Sequence, residues 1–200
     1  MPLIINGLNI PETLGNVKVN GSNMTTVNIN GSTVWQVSTS ITTYIIQNGT
    51  SNYNPSNFLK AHSTELSSLI TYTVYDNGSK VIHKNDHQSR DGDICIKFPS
   101  VVNFSGQTLS VYANLDLTSG TASSSYSLYL AVFDSSNNII SSKWIQGCGV
   151  DYELHGEHEI ANGSMTLPTS GSGYIGYIIS CGGSKGAEFT TKITTLSITT

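Results

Sequence analysis

The sequence predicts an all-β protein, a small N-terminal β-meander followed by a two-sheet antiparallel, jelly-roll-like β-sandwich. Composition is the first reason: Thr, Tyr, Val and Ile are abundant and favour strands, whereas alanine occurs only six times in 200 residues. The second reason is that apolar and polar residues alternate along much of the chain, as half-buried strands require. Asn-Gly and similar pairs interrupt this alternation at short intervals, and they predict turns.

Charge and hydropathy exclude several classes of partner. Only 11% of the residues are charged, the net charge is −4, and Lys and Arg never cluster, so we expect no nucleic-acid partner. No apolar run approaches the ~20 residues that span a membrane, so we expect no membrane insertion. The N-terminus lacks the basic region of a signal peptide, which predicts synthesis in the cytosol.

A repeated motif stands near the N-terminus. The sequence reads V-K-V-N-G-S at 17–22 and V-N-I-N-G-S at 27–32. The apolar positions of the motif share one alternation: Val17, Val19, Val27 and Ile29. A two-residue turn would place Val34 on the face of Val27 and Ile29, and a three-residue turn with a bulge would place Trp35 there.

This motif carries a resemblance. The repeated stretch ends in T-V-W at 33–35, and residues 1–37 as a whole resemble the leader of small virion proteins in tailed bacteriophages of Gram-positive hosts. The resemblance implies that this leader docks on the particle and that a C-terminal domain is displayed beyond it. The expected docking residues are Val17, Val19, Val27, Ile29 and Trp35. An ordinary hairpin at the start of a larger β-fold is the alternative interpretation.

Further elements follow from the pattern up to residue 69. Leu3–Ile5 and Leu8–Ile10 predict a first hairpin, and residues 37–40 are the expected joint between two domains, 1–37 and 41–200. A strand is expected at 41–47. Leu59, His62, Leu66 and Leu69 recur at helical spacing, which predicts a short helix within residues 58–69.

From residue 70 onward the β-pattern is nearly continuous. It predicts about eight strands within residues 41–198. The most regular alternation covers five positions: Leu109, Val111, Ala113, Leu115 and Leu117. Residues 126–133 are apolar on both faces, which predicts a central strand covered on both sides. The polar stretch 83–93 predicts a surface loop, and a bulge at Thr194–Thr195 would restore one face to the last strand.

Strands in this number and rhythm are typical of a jelly roll. The region 41–200 resembles the β-sandwiches of carbohydrate-binding modules, which recur in phage fibres and adhesins. The resemblance lies in the rhythm of the strands and includes no diagnostic motif.

Clusters of polar residues raise the question of metal sites and catalysis. The segment 151–159 holds two His and four carboxylates, and a solvated edge explains these as well as a metal does. Asp86, Asp91 and Asp93 match only part of a calcium loop. No nucleophile elbow, zincin motif or phosphate-binding loop occurs. We therefore expect no metal, no cofactor and no enzymatic activity.

Three cysteines, Cys95, Cys148 and Cys181, share no metal-ligand spacing. Their odd number in a chain without a secretory signal predicts free thiols. Spacing alone leaves a Cys148–Cys181 disulfide open.

Aromatic residues provide material for sugar recognition, because flat rings stack on pyranose faces. Trp144 and Tyr152 flank a run of small residues, 147–149, where a loop could shape a shallow site. They are the predicted glycan-binding residues, and burial of Trp144 in the core is the alternative.

The sequence as a whole therefore predicts a non-enzymatic structural protein of a phage virion. It would be made in the host cytoplasm and located on the tail, the baseplate or the capsid surface. Its expected partners are other virion proteins, further copies of itself and host-surface glycans. A bacterial glycan-binding module or adhesin is the alternative.

Overall fold

The computed structural model describes the chain as β-strands joined by turns. The described residues are 3–5, 8–10, 17–19, 22–24, 26–29, 32–36, 40–61, 70–85, 92–119, 126–148, 158–181 and 187–200. Contacts divide the chain into two compact units, Met1–Ile41 and Thr42–Thr200.

The first unit contains six short strands that pair as three successive hairpins. The pairs are β1 (Leu3–Ile5) with β2 (Leu8–Ile10), β3 (Val17–Val19) with β4 (Ser22–Met24), and β5 (Thr26–Ile29) with β6 (Ser32–Gln36). The predicted first hairpin is confirmed. The V-x-V part of each motif copy thus lies in the first strand of a hairpin, β3 or β5.

The third hairpin answers the question of register. Ile29 pairs with Ser32 and Val27 pairs with Trp35, with an irregularity at Val34. The register therefore matches a two-residue connection, and a bulge further along β6 brings Trp35 opposite Val27. The docking role of this unit stays a prediction.

The described residues of the second unit form eleven strands, three more than the sequence pattern predicted. They are β7 (Thr42–Ile46), β8 (Ser56–Ala61), β9 (Ile70–Tyr75), β10 (Lys80–Asn85), β11 (Gly92–Asn103), β12 (Thr108–Ser119), β13 (Tyr126–Phe133), β14 (Ile139–Cys148), β15 (His158–Thr166), β16 (Ser172–Cys181) and β17 (Ala187–Thr199). All pairings are antiparallel.

The strand order is that of a jelly roll. One sheet runs β15-β12-β17-β10-β9, with β7 also paired to β17, and the other runs β14-β13-β16-β11-β8. From β10 to β17, consecutive strands lie in opposite sheets. The one exception among these described strands is the pair β13 and β14, which are neighbours in the same sheet. Eight strands wound between two sheets in this way form the two Greek keys of a jelly roll, and this confirms the predicted fold class.

The core lies between the two sheets, where the predicted alternation is confirmed. All five inward positions of β12 are buried, and Leu196 and Ile198 of β17 are buried as well. In β17 the register shifts so that Tyr112 pairs with Thr195 and Ala113 with Ile193. Thr194 is therefore the extra residue of a bulge, as the change of parity predicted.

Turns occur at three of the sites where Asn-Gly and related pairs predicted them, whereas Asn162-Gly163, also predicted as a turn, lies within β15. Asn48, Asn77 and Asn137 have φ values of 53°, 51° and 67°, in the left-handed region that asparagine tolerates. They belong to the turn after β7, the 3-10 turn Asp76–Gly78 between β9 and β10, and the turn between β13 and β14.

Two predictions about polar or helical segments are wrong. Residues 58–61 belong to β8, so the helix expected within 58–69 does not begin there, and residues 62–69 lie outside the described part. The predicted loop 83–93 contains the end of β10 and the start of β11, and both His83 and Asp93 are buried. The tertiary pairing of these strands overrides the polarity of their sequence. No helix in the described part of the chain is long and apolar enough to cross a membrane.

Candidate functional site

The outer face of the five-stranded sheet carries a row of apolar side chains, one from each strand. Direct register partners give its members, in order from β14 to β8: Trp144, Tyr129, Ile178, Cys95 and Phe58. Residues directly opposite each other in a sheet project from the same face. We call this set the outer row.

Most of the outer row belongs to a second hydrophobic cluster, which is separate from the core between the sheets. Its buried members are Cys95, Ala131, Phe133 and Ile178, with Phe58, Tyr129, Ile139 and Tyr174 partly buried around them. Phe58 meets Phe133 edge to face, with ring centroids 5.8 Å apart. This cluster explains why residues 126–133 are apolar on both faces, and it confirms the prediction of a strand covered on both sides. The outward-facing side chains of β13 are therefore held in place by packing within this cluster.

Exposure increases along the outer row toward the sheet edge. Cys95 and Ile178 are buried, Tyr129 is partly buried, and the Trp144 side chain is 45% exposed. β14 is the edge strand of its sheet. Trp144 is therefore not a core residue, and the two rings of Trp144 and Tyr129 form the accessible end of the row.

A bulge aims Trp144 outward. Leu128 pairs with Gln146 and Tyr129 pairs with Trp144, so Ile145 is the extra residue on β14. Ile145 packs on the core between the sheets, close to Gly163 of β15. Because one apolar residue of the bulge turns inward, its neighbour can project from the opposite face.

Hydroxyl groups flank the two rings. Ser142 pairs with Ala131, an outer-face residue two positions from Tyr129, and it is exposed. Ser127 lies two positions from Tyr129 on the same strand, so it shares the outer face. Two rings beside two hydroxyls make an amphipathic surface suited to a sugar.

A charged cluster borders the same face at Tyr174. The Lys97 Nζ lies 4.7 Å from the centroid of the Tyr174 ring and donates to the Asn137 side-chain oxygen and, at 3.4 Å, to the Asp134 carbonyl. Hydrogen bonds from the side chain and backbone of Asn138 lower the pKa of the Asp134 carboxyl below its usual value. The turn therefore holds a carboxylate and an ammonium beside the apolar cluster.

Tyr152, the other predicted glycan residue, lies outside the described part of the chain, as do residues 151–157. The two described members of segment 151–159 have other partners: His158 Nδ1 lies 2.8 Å from Asp116 Oδ1, and Glu159 accepts from Gln146 at 3.3 Å. Among the described residues, no three His, Cys, Asp or Glu side chains are placed to hold a metal ion. Asp86 and Asp91 also lie outside the described residues.

All three cysteines are free and buried, as the sequence predicted. Cys148 and Cys181 both pair with Tyr126, one on each side of β13. They are two strands apart, about 10 Å, which exceeds the reach of a disulfide. Burial raises the pKa of Cys95 to about 12 and that of Cys148 to about 11, so neither thiol is poised as a nucleophile.

The sequence analysis missed Tyr129, Tyr174 and Phe58. The signal was present, because an apolar outer face on a central strand requires covering side chains from its neighbours. A cavity of about 390 Å³ was also missed; it lies between the sheets near the start of β7. Its walls include Ile45, Tyr53 and Phe98.

Comparisons give no family for the chain. No family model matches the sequence, and no curated protein matches it. Solved structures match at low identity. A carbohydrate-binding module of family 29 is 12% identical over 80% of this chain and 89% of its own, with a TM-score of 0.44.

Two viral structures also match at low identity. Infectious bursal disease virus, Gx strain, is 8% identical over 88% of this chain and 36% of its own, with a TM-score of 0.44. The tailspike protein 4 domain of bacteriophage CBA120 is 7% identical over 76% of this chain and 21% of its own, with a TM-score of 0.38. These values carry no argument about function, and the fold rests on the strand order above.

Proposed function

We propose that this chain is a non-enzymatic glycan-binding protein, displayed on a tailed-phage particle as a structural virion protein. The observation that carries glycan binding is the exposed Trp144 ring directly opposite Tyr129 on one sheet face. Neighbouring strands are ~4.8 Å apart, so two such rings present one continuous apolar surface to a sugar chain. Ser127 and Ser142 are the nearest hydroxyls for hydrogen bonds to sugar hydroxyls.

Binding at this surface is weak for one copy and strong for many. Stacking on one aromatic ring contributes ~1 kcal/mol, by analogy with other aromatic contacts. A few such contacts give a dissociation constant near ~1 mM. Many copies on one particle raise the overall affinity by a factor of roughly 10² to 10⁴. Display on a particle therefore suits a shallow site of this kind.

Binding is tested with the full chain coupled in many copies to beads. We expect the coated beads to bind polysaccharides immobilised on a glycan array, at a protein concentration where the free monomer gives no signal. Absence of binding by the multivalent beads to every polysaccharide on the array would remove the glycan-binding role.

The three hairpins of the first unit support a docking role for residues 1–37. A two-stranded hairpin is marginally stable alone in water, and its edges leave backbone groups unpaired. Contacts with a neighbouring virion protein, or with another copy of the chain, would complete them. Val17, Val19, Val27, Ile29 and Trp35 are the proposed contact residues.

Deletion of residues 1–37 tests this role. The truncated chain should be absent from purified particles although it accumulates in infected cells. Normal occupancy of the truncated chain on particles would contradict docking by this unit. A bacterial glycan-binding module or adhesin is the remaining alternative. It would be favoured if genes for polysaccharide degradation lay beside the coding sequence instead of capsid or tape-measure genes.

A further inference from the structure

The six-stranded sheet presents two lysines directly opposite each other on its outer face. Lys80 of β10 pairs with Lys192 of β17. The same row continues with Tyr75 on β9 and Asn114 on β12, and no carboxylate belongs to it. Like charges in direct opposition destabilise a sheet. The row therefore maintains a local concentration of positive charge in a protein whose net charge is −4.

The carboxylates in the two neighbouring rows on this face have partners of their own. In the next row Asp116 Oδ1 lies 2.8 Å from His158 Nδ1, and in the row after it Glu188 stands opposite Lys84. Within the described part of the chain, no ion pair joins Lys80 or Lys192 to a carboxylate. The two ammonium groups are thus available to an external anion.

A groove of about 380 Å³ lies along β9 and β10 and meets the lysine row at Tyr75. Its other outward-facing lining residues are Thr71, Thr73, Ile82, Lys84 and Glu188, and Glu188 stands opposite Lys84, whereas Lys80 and Lys192 lie outside the groove itself. The Tyr75 side chain is 44% exposed, and Lys80 Nζ lies 5.4 Å from the centroid of its ring. An aromatic ring, two threonine hydroxyls and an adjacent pair of cations are thus brought together on one surface.

We propose that this surface is a second ligand site, which binds an anionic polysaccharide. A sugar unit lies in the groove against Tyr75, and its carboxylate, sulfate or phosphate group lies between Lys80 and Lys192. An anion held there removes the repulsion between the two ammonium groups, so the site is stabilised when it is occupied. The inference rests on the proposed glycan binding and names the chemical class of one ligand. The site lies on the opposite face of the sandwich from Trp144, so the two can fail separately.

Affinity electrophoresis of the full chain tests the proposal. The gels contain neutral dextran, dextran sulfate, carboxymethyl dextran or phosphorylated dextran, which share a backbone and differ in the acidic group. We expect at least one charged polymer to retard the wild-type chain more than neutral dextran does. Lys80→Gln and Lys192→Gln should each weaken that retardation at least five-fold. Comparison of the three charged gels identifies the preferred acid.

Lys143→Gln is the matched control, because it removes the same charge from β14, where Lys143 Nζ donates to the Ser164 carbonyl. It should leave retardation unchanged. Thermal melting of Lys80→Gln and Lys192→Gln should give midpoints no lower than wild type. The proposal would be overturned if none of the three charged polymers retarded the wild-type chain more than neutral dextran does. It would also be overturned if Lys143→Gln lost as much retardation as Lys80→Gln and Lys192→Gln. If Trp144→Ala instead lost its retardation by the charged dextrans, those polymers would bind at the Trp144 site and the proposal would be wrong.

Discussion

Trp144 lies directly opposite Tyr129 across strands β14 and β13, and the next residue, Ile145, turns to the other face of the sheet. This arrangement separates two functions of one short segment. Ile145 fills the core beside Gly163, and Trp144 remains exposed at the sheet edge. The bulge is therefore the feature on which the proposed glycan site depends.

Close packing across the five-stranded sheet predicts a severe effect at Gly176. A Cβ at this position would overlap the Ile96 carbonyl oxygen and lie 2.9 Å from Phe133 Cε2. Backbone on a neighbouring strand cannot move aside without breaking the ladder, so we expect Gly176→Ala to cost at least ~3 kcal/mol. For a domain of this size the Tm should fall by roughly 6 °C or more.

Gly163→Ala is the control for this substitution. Its Cβ would lie 3.0 Å from Ile145 Cγ2, a side-chain atom that can shift by a few tenths of an ångström. A loss below ~1 kcal/mol is expected. Equal melting midpoints for the two variants would show that the close approach of β16 to β11 is wrong.

The buried His83 ring predicts acid sensitivity. It stacks on Phe189 with centroids 5.3 Å apart, and neither ring nitrogen has a hydrogen-bond partner among the described residues. Burial lowers its pKa from 6.5 to about 3. Below pH 6.5 the unfolded chain takes up a proton that the folded chain does not, so stability falls as the pH falls. The loss is about 1.4 kcal/mol per pH unit from this one group.

The His83→Phe variant isolates this effect, because phenylalanine keeps the stack on Phe189 and cannot take a proton. Urea unfolding between pH 7 and pH 5 should give a smaller decrease in stability for the variant, by roughly 2 kcal/mol. Parallel pH profiles for the two proteins would mean that His83 is accessible to water in the folded state.

The cysteine geometry predicts three protected thiols. Burial raises the pKa values of Cys95 and Cys148, and Cys181 is fully buried, so a thiol reagent such as DTNB should react slowly with the native protein at pH 8. Denaturation without reductant should release three reactive thiols per chain. One thiol per chain would indicate a disulfide that the strand order excludes.

Much of the core was predictable from sequence because alternation alone decides it. Leu109 and Leu117 mark the two ends of a run in which every second residue is buried, and no neighbouring strand alters that parity. The apolar outer positions of β13 likewise predicted a covered face. The bulge at Thr194 followed from a change of parity within a single strand.

Other features depend on contacts that a linear pattern does not contain. Leu59 fits helical spacing, yet pairing with Ile94 of β11 holds it in a strand. His83 lies in a polar stretch, and its burial follows from β10 lying between β9 and β17. The exposure of Trp144 results from a bulge in β14, which the alternation of apolar residues in this strand does not reveal. Of the two rings at the candidate site, the sequence named Trp144 as a candidate and did not name Tyr129.

Substitution of Trp144 tests the central claim most directly. The chain is presented in many copies on beads to a polysaccharide array, and the thermal midpoint of each variant is recorded in parallel. Ile140→Ala is the matched control, because Ile140 also lies on β14 and its side chain is likewise 45% exposed. The account predicts that Trp144→Ala loses at least ten-fold in binding with a midpoint within ~3 °C of wild type, whereas Ile140→Ala binds normally. Full binding by Trp144→Ala, or a collapsed midpoint showing that the ring supports the fold, would contradict it.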